Sequence, residues 1–186
     1  MKEVLRKQAL ELRNALTKEE VLSRSRKIIT QIKSQIDLSN YQVLGFYMPL
    51  GNEVDLRPLM KELLEMGKTI VIPKVLDKET MEFFPIKDLF DYHIGTFKVL
   101  EPNSNKIMPK TKIEIIFVPG LYFSYQKYRL GFGGGFYDRY LKDYSNKKIG
   151  VAYSFQYIKE IPYNEYDIPL DIIITENPLH QFHDED

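Results

Sequence analysis

The chain has 186 residues, enough to bury one substantial core, so we expect a single domain over residues 1–186 with a polar tail from about residue 180. Its 26 basic and 26 acidic residues balance, which gives no reason to expect a nucleic-acid partner or an anionic membrane surface. The absence of cysteine excludes disulfides, thiolate metal sites and cysteine nucleophiles. With no bilayer-length apolar stretch and no long apolar run at the amino terminus, the sequence favours a cytoplasmic protein.

The first part of the chain predicts two amphipathic helices. Apolar residues recur at helical spacing over 2–15, and those expected to face inward are Leu5, Ala9, Leu12 and Leu16. Thr17 and Glu20 have the spacing of a capping box, so a second helix is predicted to begin there. Its expected inward residues are Val21, Leu22, Ile28, Ile29 and Ile32.

The rest of the chain alternates short apolar runs with helical or polar stretches. A helix over 55–66 is expected to be capped by Asp55, and the segment 86–111 is interpreted as mostly loop. This alternation predicts a three-layer α/β/α fold with a mostly parallel or mixed central sheet. Ligands in such folds collect at the carboxyl ends of the strands, so the loops after Tyr47 and Val118 are the expected site. Strands are predicted over 43–47, 69–73, 81–85, 113–118, 148–153 and 171–175.

The strongest local signal is RLGFGGGFYDRY, residues 129–140, in which four glycines precede a segment with helical character. Glycines let backbone amides approach an anion closely, and a following helix terminus adds a favourable dipole. The pattern is neither a Walker loop nor the dinucleotide fingerprint. From the glycines alone, a tight turn that needs positive φ angles is as good an interpretation as phosphate binding. The charged neighbours Arg129, Asp138 and Arg139 favour an anion and metal site.

Asp138 has two interpretations, because it falls in the first turn of the predicted helical segment. The helix dipole stabilises a carboxylate there whether or not a cation is bound, so Asp138 is either a helix-terminus residue or a magnesium ligand. Magnesium bound with a nucleotide needs only one or two protein carboxylates. Asp171, which precedes the last predicted strand, is the second candidate ligand.

Lys2, Arg6 and Arg13 fall within about 40° of one another on the first helix and form a cationic stripe at the edge of its apolar face. Such a stripe either meets a triphosphate or is a solvated helix flank with its side chains extended into water. The helix taken alone favours the solvated flank.

The segment MPLGNEVD, residues 48–55, follows a predicted strand and offers two carboxylates, Glu53 and Asp55. One of them is expected to bind a donor group of a ligand and the other to cap the next helix. No role is assigned to the three histidines, whose spacing suggests neither a metal site nor a catalytic triad: His93, His180 and His183.

Several stretches in this order resemble the 5-formyltetrahydrofolate cyclo-ligase family and together cover nearly the whole chain. They are KEVLR, MPLGNEVD, VPGLYFSYQKYRLGFGGGFYDRYL, GVAYSFQ and NEYDIPLD. The central stretch is specific, because in that family a glycine-rich loop ending in Gly-Tyr-Tyr-Asp or a close variant binds nucleotide phosphates. The family fold is a three-layer α/β arrangement. The chain departs from the pattern at Gly134, where some members have lysine, and at Phe136, where tyrosine is common, so neither a loop lysine nor that hydroxyl is given a role.

The resemblance implies an ATP site, a folate site and a magnesium site. Asp138 and Asp171 are implied to approach the magnesium ion, and Arg6 and Arg129 to act in catalysis. The implied ATP-binding residues are Lys2, Glu3, Val4, Leu5, Arg6, Arg129, Leu130, Gly131, Phe132, Gly133, Gly134, Gly135, Phe136 and Tyr137. The implied folate-binding residues are Met48, Glu53, Phe132, Gly133, Gly134, Gly135 and Phe136.

The implied activity is the ATP- and magnesium-dependent closure of 5-formyltetrahydrofolate to 5,10-methenyltetrahydrofolate, by a monomer or weak dimer. Two hypotheses of other kinds remain beside it. The chain could be a phosphotransferase that uses the same loop on another small amide or acid. It could also be a binding protein that keeps the fold without the chemistry, because a fold alone does not guarantee activity.

Overall fold

The structure is a computed structural model that describes residues 1–95 and 98–178. The polar tail predicted from about residue 180, together with His180 and His183, lies outside the described residues. Within the described ranges, no helix is long and apolar enough to cross a membrane.

Four α-helices form where the sequence has helical periodicity or a capping signal. They are α1 (Lys2–Asn14), α2 (Lys18–Gln35), α3 (Arg57–Glu65) and α4 (Phe136–Leu141). The predicted capping box is confirmed, because Thr17 Oγ1 accepts from the Glu20 amide at 3.1 Å and Glu20 Oε1 accepts from the Thr17 amide at 3.0 Å. Gly67, with a φ of +84°, follows the C-cap residue Met66 of α3.

Eleven short strands are described along the chain. They are β1 (Val43–Gly45), β2 (Thr69–Val75), β3 (Met81–Ile86), β4 (Tyr92–Ile94), β5 (Leu100–Pro102), β6 (Ile115–Val118), β7 (Tyr122–Ser124), β8 (Arg129–Leu130), β9 (Lys147–Val151), β10 (Tyr157–Ile158) and β11 (Ile172–Ile174). Six of them form the main sheet in the order β11-β9-β6-β1-β2-β3. Every neighbouring pair in that sheet is parallel except β2 with β3. The predicted mostly parallel or mixed sheet is therefore confirmed.

Helices cover both faces of the main sheet. On one face, α2 and α3 bury Ile28, Ile32 and Leu59. These side chains pack against the strand residues that point to the same face, such as Ile72 in β2 and Phe117 in β6. On the other face, α4 and the turn after it bury Tyr140, Leu141 and Tyr144 against Val71, Phe83 and Ile116. The side chains of successive strand residues thus enter opposite layers, which is the period-2 alternation of a sheet buried on both sides. The result is the three-layer α/β/α arrangement.

A second sheet, which the sequence analysis did not predict, supports α1. It has the order β10-β7-β8, and a small core forms between it and the helix. That core contains Ala9, Leu121, Tyr122, Leu130 and Ile161. The described residues of 86–111 are mostly loop, as predicted, and within them β4 and β5 pair as an antiparallel hairpin. These strands have three residues each, too few for an apolar alternation that would reveal them.

The inward faces of two helices differ from the prediction. Leu12 and Leu22 were expected to be buried but are 46% and 45% exposed, whereas Arg13 is only 4% exposed. Because Ala9 packs on the second sheet, the cationic stripe of α1 faces the protein. Leu12 lies about 100° around the helix from Arg13 and therefore faces solvent. Asp55 also differs slightly, since it precedes the N-cap residue Leu56, although its Oδ1 accepts from the first helical amide, of Arg57, at 3.0 Å.

Candidate functional site

The main sheet reverses its strand order between β1 and β6, and this position defines a crevice. From β1 the chain proceeds to the neighbouring β2 on one side, while β6 lies on the other side. Ligands in open α/β sheets bind at the carboxyl ends of two adjacent strands whose connections run to opposite sides of the sheet. The loop after β1 contains Glu53, and Pro119 directly follows β6. These are the two loops that the sequence indicated.

The glycine turn, residues Gly131–Gly135, lies beside this crevice. Gly133 has a φ of +107° and Gly135 a φ of +71°, values that residues with a Cβ rarely adopt. Gly135 is the N-cap of α4, whose six residues follow the turn directly. Both interpretations of the glycines are thus compatible with the backbone, because the turn needs positive φ angles and also exposes its amides.

Two guanidinium groups converge on the glycine turn. The Nε of Arg6 donates to the carbonyl oxygen of Gly131 at 2.8 Å. A Cβ added at Gly133 would lie 3.5 Å from the Cζ of Arg6, and one at Gly131 would lie 2.5 Å from a terminal nitrogen of Arg129. The glycines at these positions therefore leave room for the cations to lie directly against the turn.

Arg129 is fixed from the carboxyl end of β6. Its Nε donates to the carbonyl oxygen of Pro119 at 2.9 Å, and its guanidinium lies 5.0 Å from the ring centroid of Tyr137. Burial lowers the pKa of Arg129 from its ordinary value, while the charges of Asp138 and Glu53 oppose that shift. Arg129 thus remains a cation that is placed between the loop after β6 and the glycine turn.

Lys2 brings the start of α1 to a pair of carboxylates. Its Nζ lies 3.3 Å from Oδ2 of Asp167, whose side chain is 13% exposed. Asp138 accepts from the amide of Ile168 through Oδ1 at 3.0 Å. Burial raises the pKa of Asp138, the Ile168 amide and the Arg129 charge lower it, and the neighbouring Asp167 raises it further. Two carboxylates and two cations are therefore close enough to act on one another.

No sequence pattern singled out Asp167. It belongs to the stretch NEYDIPLD that contributed to the family resemblance, so its position along the chain was noted but its role was not. The sequence signal that could have identified Asp167 was its carboxylate, four residues before Asp171 in the same short stretch. Only the fold shows that this stretch passes beside Asp138.

Asp171 lies at the amino end of β11, next to the beginning of β9. Its Oδ2 accepts from the Lys148 amide at 2.7 Å and lies 3.8 Å from the Lys148 Nζ. The described contacts of Asp171 are thus with β9 and do not bring it to the glycine turn. Its role as a metal ligand stays a prediction.

The donor set near Asp138 fits magnesium accompanied by phosphates. Across residues 1–95 and 98–178, no group of three or more His, Cys, Asp or Glu residues could hold a metal ion. A site made only from protein ligands is therefore not described. Magnesium bound to a nucleotide requires only one or two carboxylates, since phosphate oxygens and water complete its octahedron, and Asp138 and Asp167 satisfy that need.

The loop after β1 holds Glu53 in a buried position. The side chain of Glu53 accepts from the amide of Leu50 at 2.7 Å. Burial raises the pKa of Glu53 above its ordinary value, and the Leu50 amide and the charges of Arg13 and Arg129 partly oppose that shift. Met48, also predicted to contact folate, is partly buried against the main core. Of the two carboxylates in this loop, Asp55 accepts from the Arg57 amide and guanidinium, and the ligand contact of Glu53 stays a prediction.

The remaining predicted residues fall into two groups. Val4 is 71% exposed, and the side chain of Glu3 is 86% exposed and forms an ion pair with Arg6. Leu5 and Leu130 pack in the small core under α1.

Aromatic residues flank the glycine turn. Phe132 is 56% exposed. The guanidinium of Arg139 lies 4.9 Å from the ring centroid of Phe136. A Cβ at Gly134 would come within 2.8 Å of the Phe136 ring, so the two departures from the family pattern are in contact.

The chain is similar to known proteins of one family. The model of the 5-formyltetrahydrofolate cyclo-ligase family matches residues 1–176. The NMR structure of 5,10-methenyltetrahydrofolate synthetase from Aquifex aeolicus superposes with a TM-score of 0.84 at 37% identity, covering 95% of this chain and 90% of that one. The 5-formyltetrahydrofolate cyclo-ligase of Mycoplasma pneumoniae is 32% identical over 94% of this chain and 98% of its own. That of Mycoplasma genitalium is 36% identical over 70% of each chain. This chain therefore belongs to the 5-formyltetrahydrofolate cyclo-ligase family, a family of ligase enzymes.

Proposed function

We propose that the chain converts 5-formyltetrahydrofolate to 5,10-methenyltetrahydrofolate, using ATP and magnesium and releasing ADP and phosphate. Family membership supports the overall cyclisation. The use of ATP rests mainly on one structural observation, the convergence of Arg6 and Arg129 on the glycine turn. A turn with free amides and two adjacent guanidinium groups suits a triphosphate, whose charge needs several donors at fixed positions.

In the first step, the oxygen of the N5-formyl group attacks the γ-phosphorus of ATP. The bond from that phosphorus to the bridging oxygen breaks, and ADP leaves. Because the formyl oxygen carries no proton, this step needs no general base. The demand is to hold a weak nucleophile in line with the γ-phosphoryl group while cations disperse the transferring charge, and Arg6 and Arg129 serve that purpose.

In the second step, the N10 lone pair attacks the activated formyl carbon. The N10 proton is lost, the carbon–oxygen bond breaks, and phosphate leaves with both of its electrons. The product is the methenyl bridge between N5 and N10. Glu53 holds the folate in this proposal, so that N10 stays within reach of the carbon while the glycine turn retains the phosphate.

Asp138 and Asp167 would hold the magnesium ion, with the phosphates completing its coordination. The ion would supply positive charge to the phosphate oxygens. Lys2, which lies 3.3 Å from Asp167, would keep the charge of this carboxylate pair balanced before the nucleotide arrives.

An assay that follows methenyl absorbance tests this proposal. Purified protein with 5-formyltetrahydrofolate, ATP and magnesium should form the methenyl product and one ADP for each product, and omission of ATP or magnesium should stop the reaction. Formation of ADP without methenyl product would instead indicate a phosphotransferase with another acceptor. Binding of both ligands without ADP or methenyl product would indicate a binding protein without chemistry, and either result would contradict the proposal.

A further inference from the structure

Arg13 is buried at the end of α1 and is held in place by the loop after β1, which contains Asn52 and Glu53. Only 4% of this residue is exposed. Its carbonyl oxygen accepts from Asn52 Nδ2 at 2.9 Å, and the same nitrogen donates to the Leu16 carbonyl at 2.9 Å. The Tyr153 hydroxyl donates in turn to the Asn52 carbonyl at 2.8 Å. The backbone of Arg13 is therefore fixed relative to the loop that carries Glu53.

The side chain of Arg13, in contrast to its backbone, has a buried polar atom without a partner. Its Nε is buried and has no hydrogen-bond acceptor. In the described part of the chain, no carboxylate lies within 4 Å of it to form an ion pair. The Cζ of Arg13 lies 5.7 Å from the centroid of the Phe132 ring. A buried polar atom of a charged group is costly when it has no hydrogen bond. Arg13 therefore calls for a ligand that supplies an acceptor.

A carboxylate acceptor, Glu53, lies near Arg13. The charge of Arg13 acts on Glu53, although the two side chains are too far apart to pair directly. The site therefore offers donors from a guanidinium, acceptors from a carboxylate, and the exposed ring of Phe132 beside them. A flat heterocycle with a carbonyl oxygen next to N–H groups along one edge would satisfy all three.

We propose that Arg13 is a substrate-binding residue that donates to the ring carbonyl oxygen of the reduced pterin, while Glu53 accepts from the N–H groups of the same ring edge. This inference rests on the proposed function, because it takes a reduced folate as the ligand. Phe132 lies against the ring in this arrangement. The match is specific, since only an edge with both a carbonyl and N–H groups serves a cation and a carboxylate together.

The glutamate tail of the folate is a second source of oxygen atoms for Arg13. A tail carboxylate at this position would meet the negative charge of Glu53 in a buried environment, which disfavours it. The neutral pterin edge avoids that repulsion. The two sources can be separated by experiment, because 5-formyltetrahydropteroate contains the pterin ring and lacks the glutamate.

The test is calorimetric binding of 5-formyltetrahydrofolate and of 5-formyltetrahydropteroate to the full chain, without nucleotide. Arg13→Gln removes the charge, Arg13→Lys keeps it, and Lys7→Gln removes a charge from an exposed position of the same helix as a control. In Arg13→Gln, the Kd for both folates should rise roughly 10- to 100-fold. Arg13→Lys should recover part of that loss, and Lys7→Gln should bind as the wild type does. The Kd for ATP should be unchanged in all three variants, which a general loss of structure would not permit.

Unchanged folate binding by Arg13→Gln would overturn the inference, and so would a loss that occurs with the folate but not with the pteroate. If Arg13→Gln does not fold, Arg13→Lys decides the matter, since one ammonium replaces a forked donor and weaker folate binding is still expected. A wild-type chain that binds neither folate would refute the proposed function itself. Wild-type binding combined with full binding by the Arg13 variants would refute only the role of Arg13.

Discussion

The Nε of Arg6 lies 2.8 Å from the carbonyl oxygen of Gly131, although the two residues are 125 positions apart in the chain. This bond joins the first helix to the glycine turn and directs the guanidinium toward Gly133. One donor of Arg6 holds the turn, one terminal nitrogen pairs with Glu3, and the remaining donors are left to meet a phosphate. The first helix is therefore part of the proposed nucleotide site and not only a cover for the second sheet.

Arg6→Gln should weaken ATP binding because it removes this charge and leaves a shorter, neutral polar side chain. The expected rise in the Kd for ATP is roughly 10- to 100-fold, with a fall in kcat where Arg6 also stabilises the transferring phosphoryl group. Calorimetry and the methenyl assay measure the two effects. Lys7→Gln on the exposed side of α1 is the matched control and should leave both unchanged. Equal ATP affinity in Arg6→Gln and the wild type would remove Arg6 from the site.

Gly133→Ala should impair nucleotide binding through the backbone. An alanine at a φ of +107° is strained, and its Cβ would meet the Arg6 guanidinium at 3.5 Å, so the turn is expected to change shape. Gly67→Ala is the control, since Gly67 has a φ of +84° at the end of α3 with nothing within 4 Å of an added Cβ. Both variants should lose stability in a thermal melt, but only Gly133→Ala should raise the Kd for ATP. A similar Kd in the two variants would show that the shape of the turn is unimportant.

Glu53→Gln should separate folate binding from stability. The variant loses the carboxylate that accepts from the folate, so its folate KM at pH 7 should rise roughly 10-fold or more. Burial raises the pKa of Glu53, which means that the ionised side chain is destabilising in the folded chain. The neutral glutamine can still accept from the Leu50 amide, so its Tm at pH 7 should equal or exceed that of the wild type.

The pH dependence of this effect has a definite sign. Since the folded pKa of Glu53 lies above the unfolded one, the folded chain holds more protons than the unfolded chain between the two values. The contribution of Glu53 to stability is complete below the unfolded pKa and is lost as the pH rises through the folded pKa. The Tm advantage of Glu53→Gln should therefore shrink as the pH falls toward 4.5, the ordinary value for glutamate. A variant that is less stable at pH 7 and gains on acidification would contradict this account.

Magnesium titrations should distinguish Asp167 from Asp171. Asp167→Asn and Asp138→Asn are expected to raise the magnesium concentration needed for half-maximal turnover, because each removes a charged oxygen ligand. Asp171→Asn should lower stability by weakening its contacts with Lys148 and leave the magnesium dependence unchanged. The methenyl assay over a range of magnesium concentrations measures this. A magnesium requirement that changes in Asp171→Asn and not in Asp167→Asn would restore the assignment made from the sequence.

The strands of the main sheet were predictable because each buried strand is an apolar run in the sequence that ends at polar or turn residues. Ile115–Val118 and its neighbours are buried on both faces, so almost every position is constrained to be apolar. The second sheet and the β4–β5 hairpin have strands of two or three residues, too short for a periodic pattern to emerge. Local sequence carries little information about pairs of that length.

The site was predictable where a motif is continuous and was missed where the fold brings distant residues together. The glycine turn and Arg129 occupy one short stretch, whereas Asp167 meets Lys2 across 165 positions. The burial of Arg13 follows from the way α1 rotates on the second sheet, which itself was not predicted. Helical periodicity places Lys2, Arg6 and Arg13 on one face, but it does not show whether that face turns toward water or toward the protein.

The most direct test of the nucleotide site is an NMR titration of the ¹⁵N-labelled chain with magnesium and a non-hydrolysable ATP analogue. The account predicts that the amide signals of Gly131, Gly133, Gly134 and Gly135 shift most, together with those of the first two turns of α1. The same titration of Arg6→Gln should require a higher analogue concentration. Saturable binding of the analogue with those glycine amides unmoved would contradict the central claim that this turn holds the triphosphate.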